Sequence, residues 1–367
     1  MYRIGIDVGG TFTDVTLLNS ETGRYYTYKL SSTLQDQSLA IANGTKETLE
    51  LYGVPVSEIE YFGHGTTVAT NMIIERKGAK TALITTKGFR DLLEIGRQTR
   101  PSLYNIMEDK PETLVKRSLR KEISERVTAK GDILRDVDRD EVRAVLKELK
   151  EQGVESIAVC FLFSFLNSRN EKIVEECIKE VWPEAYYSVS STILPEFREF
   201  ERLSTTVINS YLGPRMKMYI HNLRQRIKEV GVTVEPYITQ SNGGVMSISS
   251  TIQTPVQTAL SGPSAGVMGA VYIAEAAGFK DIITYDMGGT STDVSLVKDG
   301  IAEYTTKRKV CGLPSGVPMI DVHAVGAGGG SIAQIDNAGA LKVGPESAGA
   351  NPGPAAYGLG NENPVVT

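Results

Sequence analysis

The sequence predicts an α/β protein built from two related halves. The main observation is a repeat. Asp-Val-Gly-Gly-Thr-Phe-Thr-Asp at residues 7–14 returns as Asp-Met-Gly-Gly-Thr-Ser-Thr-Asp at residues 286–293. Six of the eight positions are identical, and Val15 and Val294 follow in register. Each copy is entered from an apolar, strand-like run and opens onto another. The second observation lies between the copies, where residues 138–190 alternate helical and strand patterns, the mark of an α/β region with some parallel pairing.

Composition sets the outer limits. A chain of 367 residues has room for roughly two to three domains and a sizeable core. A net charge of -5 argues against a nucleic-acid partner, which needs clustered Lys and Arg. No apolar run reaches the ~20 residues of a membrane span, so no membrane association is expected. The chain enters a strand at Arg3-Ile4-Gly5-Ile6, which reads as the absence of a signal peptide. Cys160, Cys177 and Cys311 are odd in number and lack metal-ligand spacing. Cys160 and Cys177 sit in apolar patterns and read as core thiols, so a reducing cytoplasm is the expected location.

The first half reads in order. Residues 3–18 are strand, tight turn, strand, and residues 25–30 a third antiparallel strand. A helix over 36–52 stops at Gly53. A strand over 59–63 runs into His64-Gly65-Thr66-Thr67, with Thr66 or Thr67 as N-cap of a helix over 68–77. A strand over 80–85 and a short helix over 89–95 precede Arg97 and Arg100. These arginines read either as surface residues or as a carboxylate or phosphate clamp. Residues 119–137 alternate as a hairpin around Gly131. Asp138-x-x-Glu141 and Ser168-x-x-Glu171 read as capping boxes of two helices flanking a buried strand over 156–163. Residues 199–230 are helical, with Gly213-Pro214 expected to break or kink them, and form the expected bridge between halves.

The second half begins with a strand over 236–239. A small-residue helix over 267–277 follows Ser261-Gly262-Pro263, and the second octapeptide comes directly after it. A strand over 318–324 carries Asp321 and His323 and runs into the glycine-rich stretch 325–331. The domain division is 1–200, a helical bridge at 201–233, and 234–367.

The octapeptide suits phosphate chemistry. Paired glycines admit unusual backbone angles and close approach of a ligand. The amides of such a turn form an anion-binding concavity. The threonine hydroxyls add neutral donors, and the leading aspartate can hold Mg²⁺, usually through water. Candidate phosphate-binding residues are Gly9, Gly10, Thr11 and Thr13, then Gly288, Gly289, Thr290 and Thr292, with Gly328 and Gly329 of the later glycine run. Asp7 and Asp286 are the candidate Mg²⁺ ligands and, with Thr66 and His64, the candidate catalytic residues. His64 reads equally as a substrate contact or a structural group. Asp321 and His323 could share a metal, but a core histidine is the preferred reading. His221 reads as a surface residue.

The order of hairpin, small-residue helix and second hairpin resembles the actin-like ATPase superfamily. That resemblance implies a duplicated, ribonuclease H-like fold with two α/β domains around a nucleotide cleft. Further stretches resemble one branch, the hydantoinase/5-oxoprolinase family, ATP-binding A subunit. They include residues 64–71, Glu94-Ile95-Gly96-Arg97-Gln98, Arg198-Glu199-Phe200-Glu201-Arg202, Gln240-Ser241-Asn242-Gly243-Gly244, residues 326–331 and Gly353-Pro354-Ala355.

This narrower resemblance implies a cytoplasmic enzyme that uses ATP and Mg²⁺ to open a cyclic amide such as hydantoin, N-methylhydantoin or 5-oxoproline. It also implies a hydantoinase B-type partner subunit. Family members of this type run longer, so the second domain is expected to be incomplete here, with the adenosine-binding loop beyond Thr367. Two other readings stay open: a subunit of an acetone- or acetophenone-type carboxylase, and a non-catalytic subunit that grips its partner under ATP control. A sugar or acetate kinase lacks its expected motifs. An activase of radical dehydratases would need cysteines placed for an iron–sulfur cluster.

Overall fold

The computed structural model describes residues 1–9, 12–33, 36–289, 291–349 and 353–367. Two units emerge. The first comprises residues 1–240, 244–261 and 306–318, and the second residues 241–243, 262–305 and 319–367.

The first unit holds two sheets. Strands β1 (Tyr2–Val8), β2 (Phe12–Asn19) and β3 (Tyr25–Ser31) form an antiparallel meander, followed by helix α1 (Gln37–Tyr52). Asp36 caps α1 through the Ser38 amide, and Gly53 ends it in the left-handed conformation (φ 63°) that a Cβ would strain. Strand β4 (Ile59–Thr66) runs parallel to β1 and leads into the short helix α2 (Val68–Ile74). Ile4, Ile6 and Val8 point to the buried side of the sheet while Arg3, Gly5 and Asp7 alternate to the other.

The second sheet is fully parallel, in the order β10 (Tyr186–Val189), β9 (Ser156–Cys160), β5 (Thr81–Thr86), β6 (Arg120–Ile123). Helix α3 (Leu92–Ile95) follows β5. A small hairpin, β7 (Arg126–Val127) and β8 (Ile133–Arg135), follows β6. Helices α4 (Arg139–Glu151) and α5 (Arg169–Val181) flank β9 in the chain, and α6 (Ser190–Ile193) follows β10. All residues of β5 and β9 are buried, as a sheet covered on both faces requires. Cys160 and Cys177 lie in this core, and burial raises the Cys160 thiol to about 11.

Helix α7 (Glu199–Glu229) packs along this unit as one continuous helix with Pro214 inside. The expected break at Gly213-Pro214 is absent. Leu212, Met216, Ile220 and Leu223 are fully buried. Burial on that scale contributes about 1.5–3 kcal/mol per side chain, enough to outweigh a proline cost of ~3 kcal/mol. Gly213 serves packing: a Cβ there would fall 2.0 Å from the Tyr186 ring. The whole of α7 belongs to the first unit. Strand β11 (Tyr237–Thr239), expected to open the second half, instead pairs parallel with β4, and β12 (Val245–Ser247) and α8 (Ile248–Gln253) follow it. The outer edge of β4 was open, and a strand satisfies its unpaired amides.

Neither capping box closes as expected. Asp138 caps α4 through the Asp140 amide, but Glu141 turns away to Ser124. Ser168 makes no side-chain cap bond. Glu171 is fully buried and accepts from the Phe161 amide (2.9 Å), the Ser190 hydroxyl (2.7 Å) and the Ser191 amide (2.9 Å). A buried carboxylate goes where donors are densest.

In the second unit, helix α9 (Ser261–Ala276) begins earlier than the sequence suggested, at Ser261. Strands β13 (Ile282–Met287), β14 (Thr292–Lys298) and β15 (Ile301–Ala302) form an antiparallel sheet. After β16 (Tyr304–Thr305) the chain returns to the first unit for β17 (Arg308–Val310) and β18 (Leu313–Ser315). It re-enters the second at β19 (Met319–Ile320). Strand β20 (Val322–Val325) pairs with β14, and β21 (Ser331–Ile335) with β22 (Leu341–Ser347). Among the described residues, no helix is long and apolar enough to cross a membrane.

Candidate functional site

The first octapeptide forms the β1–β2 hairpin. Asp7 lies opposite Asp14 and Val8 opposite Thr13, and the Gly9 amide closes the turn on the Phe12 carbonyl at 2.9 Å. Asp7 ends on the exposed side of the sheet. Its neighbour on β4 is Gly65, where a Cβ would fall 2.9 Å from Asp7 Oδ1. The missing side chain leaves room for the carboxylate. Thr13 is buried, and its hydroxyl meets Ser32 Oγ at 2.9 Å, while Ser32 donates to the Gly9 carbonyl at 2.9 Å. Thr13 thus braces the hairpin from inside. Lys29 pairs with Asp14 at 2.9 Å on the surface. Gly10 and Thr11 lie outside the described residues.

Directly beneath, His64 and Thr66 are both buried on β4. His64 Nδ1 lies 3.3 Å from the Ile6 carbonyl and Nε2 lies 2.5 Å from the Tyr219 hydroxyl. A carbonyl only accepts, so Nδ1 carries the proton and Nε2 accepts from Tyr219. Burial pushes the His64 pKa down to about 4, which keeps the ring neutral. Burial also pushes the Tyr219 hydroxyl well above its ordinary value, against a hydrogen bond from Thr66. Thr66 Oγ1 in turn accepts from the Val68 amide at 3.2 Å. The result is a chain of hydrogen bonds from α2 through α7 to the strand that carries Asp7. Thr67, the residue before α2, makes no side-chain cap bond and donates to the Val8 carbonyl at 3.2 Å.

The second octapeptide forms the β13–β14 hairpin with the same internal geometry. Asp286 lies opposite Asp293, Met287 opposite Thr292, and the Gly288 amide closes on the Ser291 carbonyl at 2.9 Å. Asp286 is exposed. Thr290 lies outside the described residues. Thr292 is buried and donates to the Ala327 carbonyl at 2.6 Å. The glycine run packs along this turn: the Gly329 amide bonds Gly288 O at 2.9 Å, the Gly330 amide bonds Gly289 O at 2.7 Å, and the Gly328 amide bonds Ser331 Oγ at 2.9 Å. A Cβ at Gly330 would fall 3.0 Å from Gly289 O, so any side chain there would crowd the turn.

The remaining candidates separate. His323 is exposed, contrary to the core reading, and sits 3.5 Å from Asp321 Oδ2. Among the described residues, no three His, Cys, Asp or Glu side chains gather to hold a metal. Arg97 grips Glu201 with two bonds, at 2.8 and 2.7 Å, so its carboxylate partner is internal. His221 lies on the exposed side of α7. Sequence reasoning missed Tyr219, which carries no motif and is one of many buried positions on α7. It also missed Ser32 as a partner of the hairpin.

The family description "Hydantoinase/oxoprolinase N-terminal region" matches residues 3–182, and "Hydantoinase/oxoprolinase" matches residues 202–367. The chain belongs to the hydantoinase/oxoprolinase family. It is 37% identical to the caprolactamase subunit alpha of Pseudomonas jessenii, over 100% of this chain and 53% of that one. It is 34% identical to the 5-oxoprolinase of Saccharomyces cerevisiae, over 98% of this chain and 30% of that one. The crystal structure of the ATP-dependent caprolactamase from Pseudomonas jessenii matches with a TM-score of 0.91 at 36% identity, covering 100% of this chain and 54% of that one. Nucleotide-free acetone carboxylase matches with a TM-score of 0.80 at 27% identity, covering 99% and 53%. These matches give this family member the actin-like ATPase-type fold. The chain spans about half or less of the length of the relatives it matches.

Proposed function

We propose that the chain is the ATP-binding part of an enzyme that opens a cyclic amide. The observation that carries this reading is the repeated hairpin, with a carboxylate at the same register in each copy, in a chain similar end to end to an ATP-dependent caprolactamase. An amide carbonyl is a poor electrophile. Transfer of the γ-phosphoryl group from ATP to the lactam oxygen breaks the bond to ADP and turns that oxygen into a leaving group. Water then adds at the ring carbon, the C–N bond breaks with the nitrogen leaving as the amine, and a second water hydrolyses the resulting acyl phosphate to the acid and free phosphate. Such chemistry asks the protein for positioning and charge neutralisation.

Gly9, Gly10, Thr11, Gly288, Gly289 and Thr290 are assigned to the phosphates. Thr13 and Thr292 hold the turns in shape from within. Asp7 and Asp286 are assigned to Mg²⁺, which when bound neutralises phosphate charge. Asp7 and Asp286 each stand at the exposed end of a strand beside a glycine turn, and a carboxylate with substrate oxygens is a usual Mg²⁺ donor set. His64, buried and neutral, takes a positioning role with Thr66 and Tyr219. Gly328 and Gly329 support the second turn with amides already engaged. A second, B-type subunit completes the enzyme, in keeping with the subunit naming of caprolactamase.

The test is ATP hydrolysis by the chain together with its partner subunit, in the presence of caprolactam, 5-oxoproline or hydantoin. Turnover stimulated by one of these, with the ring-opened acid as product, is expected. Stimulation only by a ketone with bicarbonate supports the second reading, a carboxylase, which the likeness to acetone carboxylase favours. ATP hydrolysis indifferent to every substrate excludes both.

A further inference from the structure

The two turns are held at matching atoms by different groups. Aligning Asp7 with Asp286 sets Gly9 against Gly288 and Thr13 against Thr292. In the second copy the Gly288 carbonyl accepts from the Gly329 amide at 2.9 Å. In the first copy the Gly9 carbonyl accepts from the Ser32 hydroxyl, also at 2.9 Å. Ser32 lies just past the end of β3 and outside the octapeptide. Its side chain does for the first turn what a backbone amide does for the second.

The hydroxyls form a directed chain. Ser32 has one hydroxyl proton and gives it to Gly9. The 2.9 Å contact between Ser32 and Thr13 therefore has Thr13 as donor. Thr13 is fully buried and Ser32 partly buried. Linked bonds of this kind polarise one another, so Thr13 strengthens the hold of Ser32 on Gly9.

That hold controls the orientation of a peptide. A trans peptide is planar, and its N–H points the opposite way from its C=O. Glycine on both sides leaves such a peptide easy to rotate. Pinning the Gly288 carbonyl to the glycine run turns the Gly289 amide away from that run. Pinning the Gly9 carbonyl to Ser32 fixes the plane of the matching peptide in the first copy. A turn that binds anions through its amides gains from having them set before the ligand arrives.

We propose, on the reading of both hairpins as phosphate sites, that Ser32 is a positioning residue for ATP. Its hydroxyl sets the Gly9 peptide for phosphate binding, the part that the Gly329 amide takes in the second turn.

Calorimetry of Mg·ATP with the chain and its partner subunit tests this in the parent, Ser32→Ala and Ser32→Thr. Ser32→Ala should weaken ATP binding about tenfold, as loss of one hydrogen bond does. Ser32→Thr keeps the donor and should bind within about twofold of the parent. Denaturant midpoints measured alongside isolate a merely structural role. A lower midpoint in Ser32→Ala with ATP affinity untouched overturns the proposal. Equal weakening in the alanine and threonine variants also overturns it, because the hydroxyl is then not the group that matters. Should Ser32→Ala fail to fold, Ser32→Cys, close in shape and only a weak donor, carries the same expectation. A parent without ATP affinity sinks the phosphate reading and the positioning role together, whereas equal affinity in the parent and Ser32→Ala sinks the positioning role alone.

Discussion

The first hairpin stands on a strand whose Ile4, Ile6 and Val8 are buried, and the second on a strand where the matching Ile283, Tyr285 and Met287 are exposed. Their turns are alike, with the same cross-strand aspartate pair and the same 2.9 Å closing bond. Their supports differ. The first is held from a neighbouring parallel strand by Gly65, His64 and a hydrogen-bond chain to α7. The second is held by backbone bonds from a glycine run. One local sequence therefore sets the turn, and two unrelated surroundings hold it in place. Variants that strike the supports should separate the two copies.

The largest effects are expected where a side chain would intrude on a turn. Gly65→Val brings carbon within 2.9 Å of Asp7 Oδ1, and Gly330→Val crowds Gly289 O from 3.0 Å. Each should weaken ATP binding by about a hundredfold, or about 3 kcal/mol. The cause should differ. The Gly65 variant should lose chiefly the Mg²⁺-dependent part of the affinity, while the Gly330 variant should bind weakly with or without Mg²⁺. Titration calorimetry with and without the metal reads the difference.

A pH effect should belong to the first copy alone. His64 has a folded pKa of about 4 against an ordinary 6.5. Its neutral form is favoured in the fold, so its contribution is complete above pH 6.5 and is lost as pH falls toward and through 4. The loss is on the order of 3 kcal/mol. Denaturant midpoints between pH 7 and 4 should fall less steeply in His64→Gln than in the parent chain. An equal slope in both removes His64 from the account.

Tyr219→Phe keeps the ring and deletes the donor to His64 Nε2. A buried acceptor left alone costs about 1–3 kcal/mol. Nitrogen-resolved NMR should find the proton on Nδ1 of His64 in the parent chain, as the Ile6 carbonyl demands. A proton on Nε2 would reverse the polarity assigned here. The smallest effect is expected for Lys29→Ala, which breaks an exposed pair with Asp14 and should move stability by less than about 1 kcal/mol.

Much of this was legible in the sequence because it depends on local pattern. The octapeptide repeat gave the same register in both hairpins. The apolar run at 156–163 and the helical stripe of Val142, Leu146 and Leu149 announced a parallel sheet with crossover helices. What escaped depends on partners distant in the chain. Glu141 and Glu171 have the spacing of capping residues, yet each finds better donors in other elements. Pro214 reads as a break until the burial on either side of it is known. His64 could not be called buried without Tyr219, which lies 155 positions away. The strand at β11 joined the first sheet because β4 had an open edge, and no residue in β11 itself announces that.

The proposed function rests on each hairpin contributing to ATP binding. Calorimetry of Mg·ATP binding to the chain with its partner subunit, comparing the parent with Asp7→Ala and Asp286→Ala, tests this most directly. Each substitution alone should remove most of the Mg²⁺-dependent affinity, and the pair together should lose little more. Unchanged affinity in either single variant would contradict a role for that hairpin in nucleotide binding.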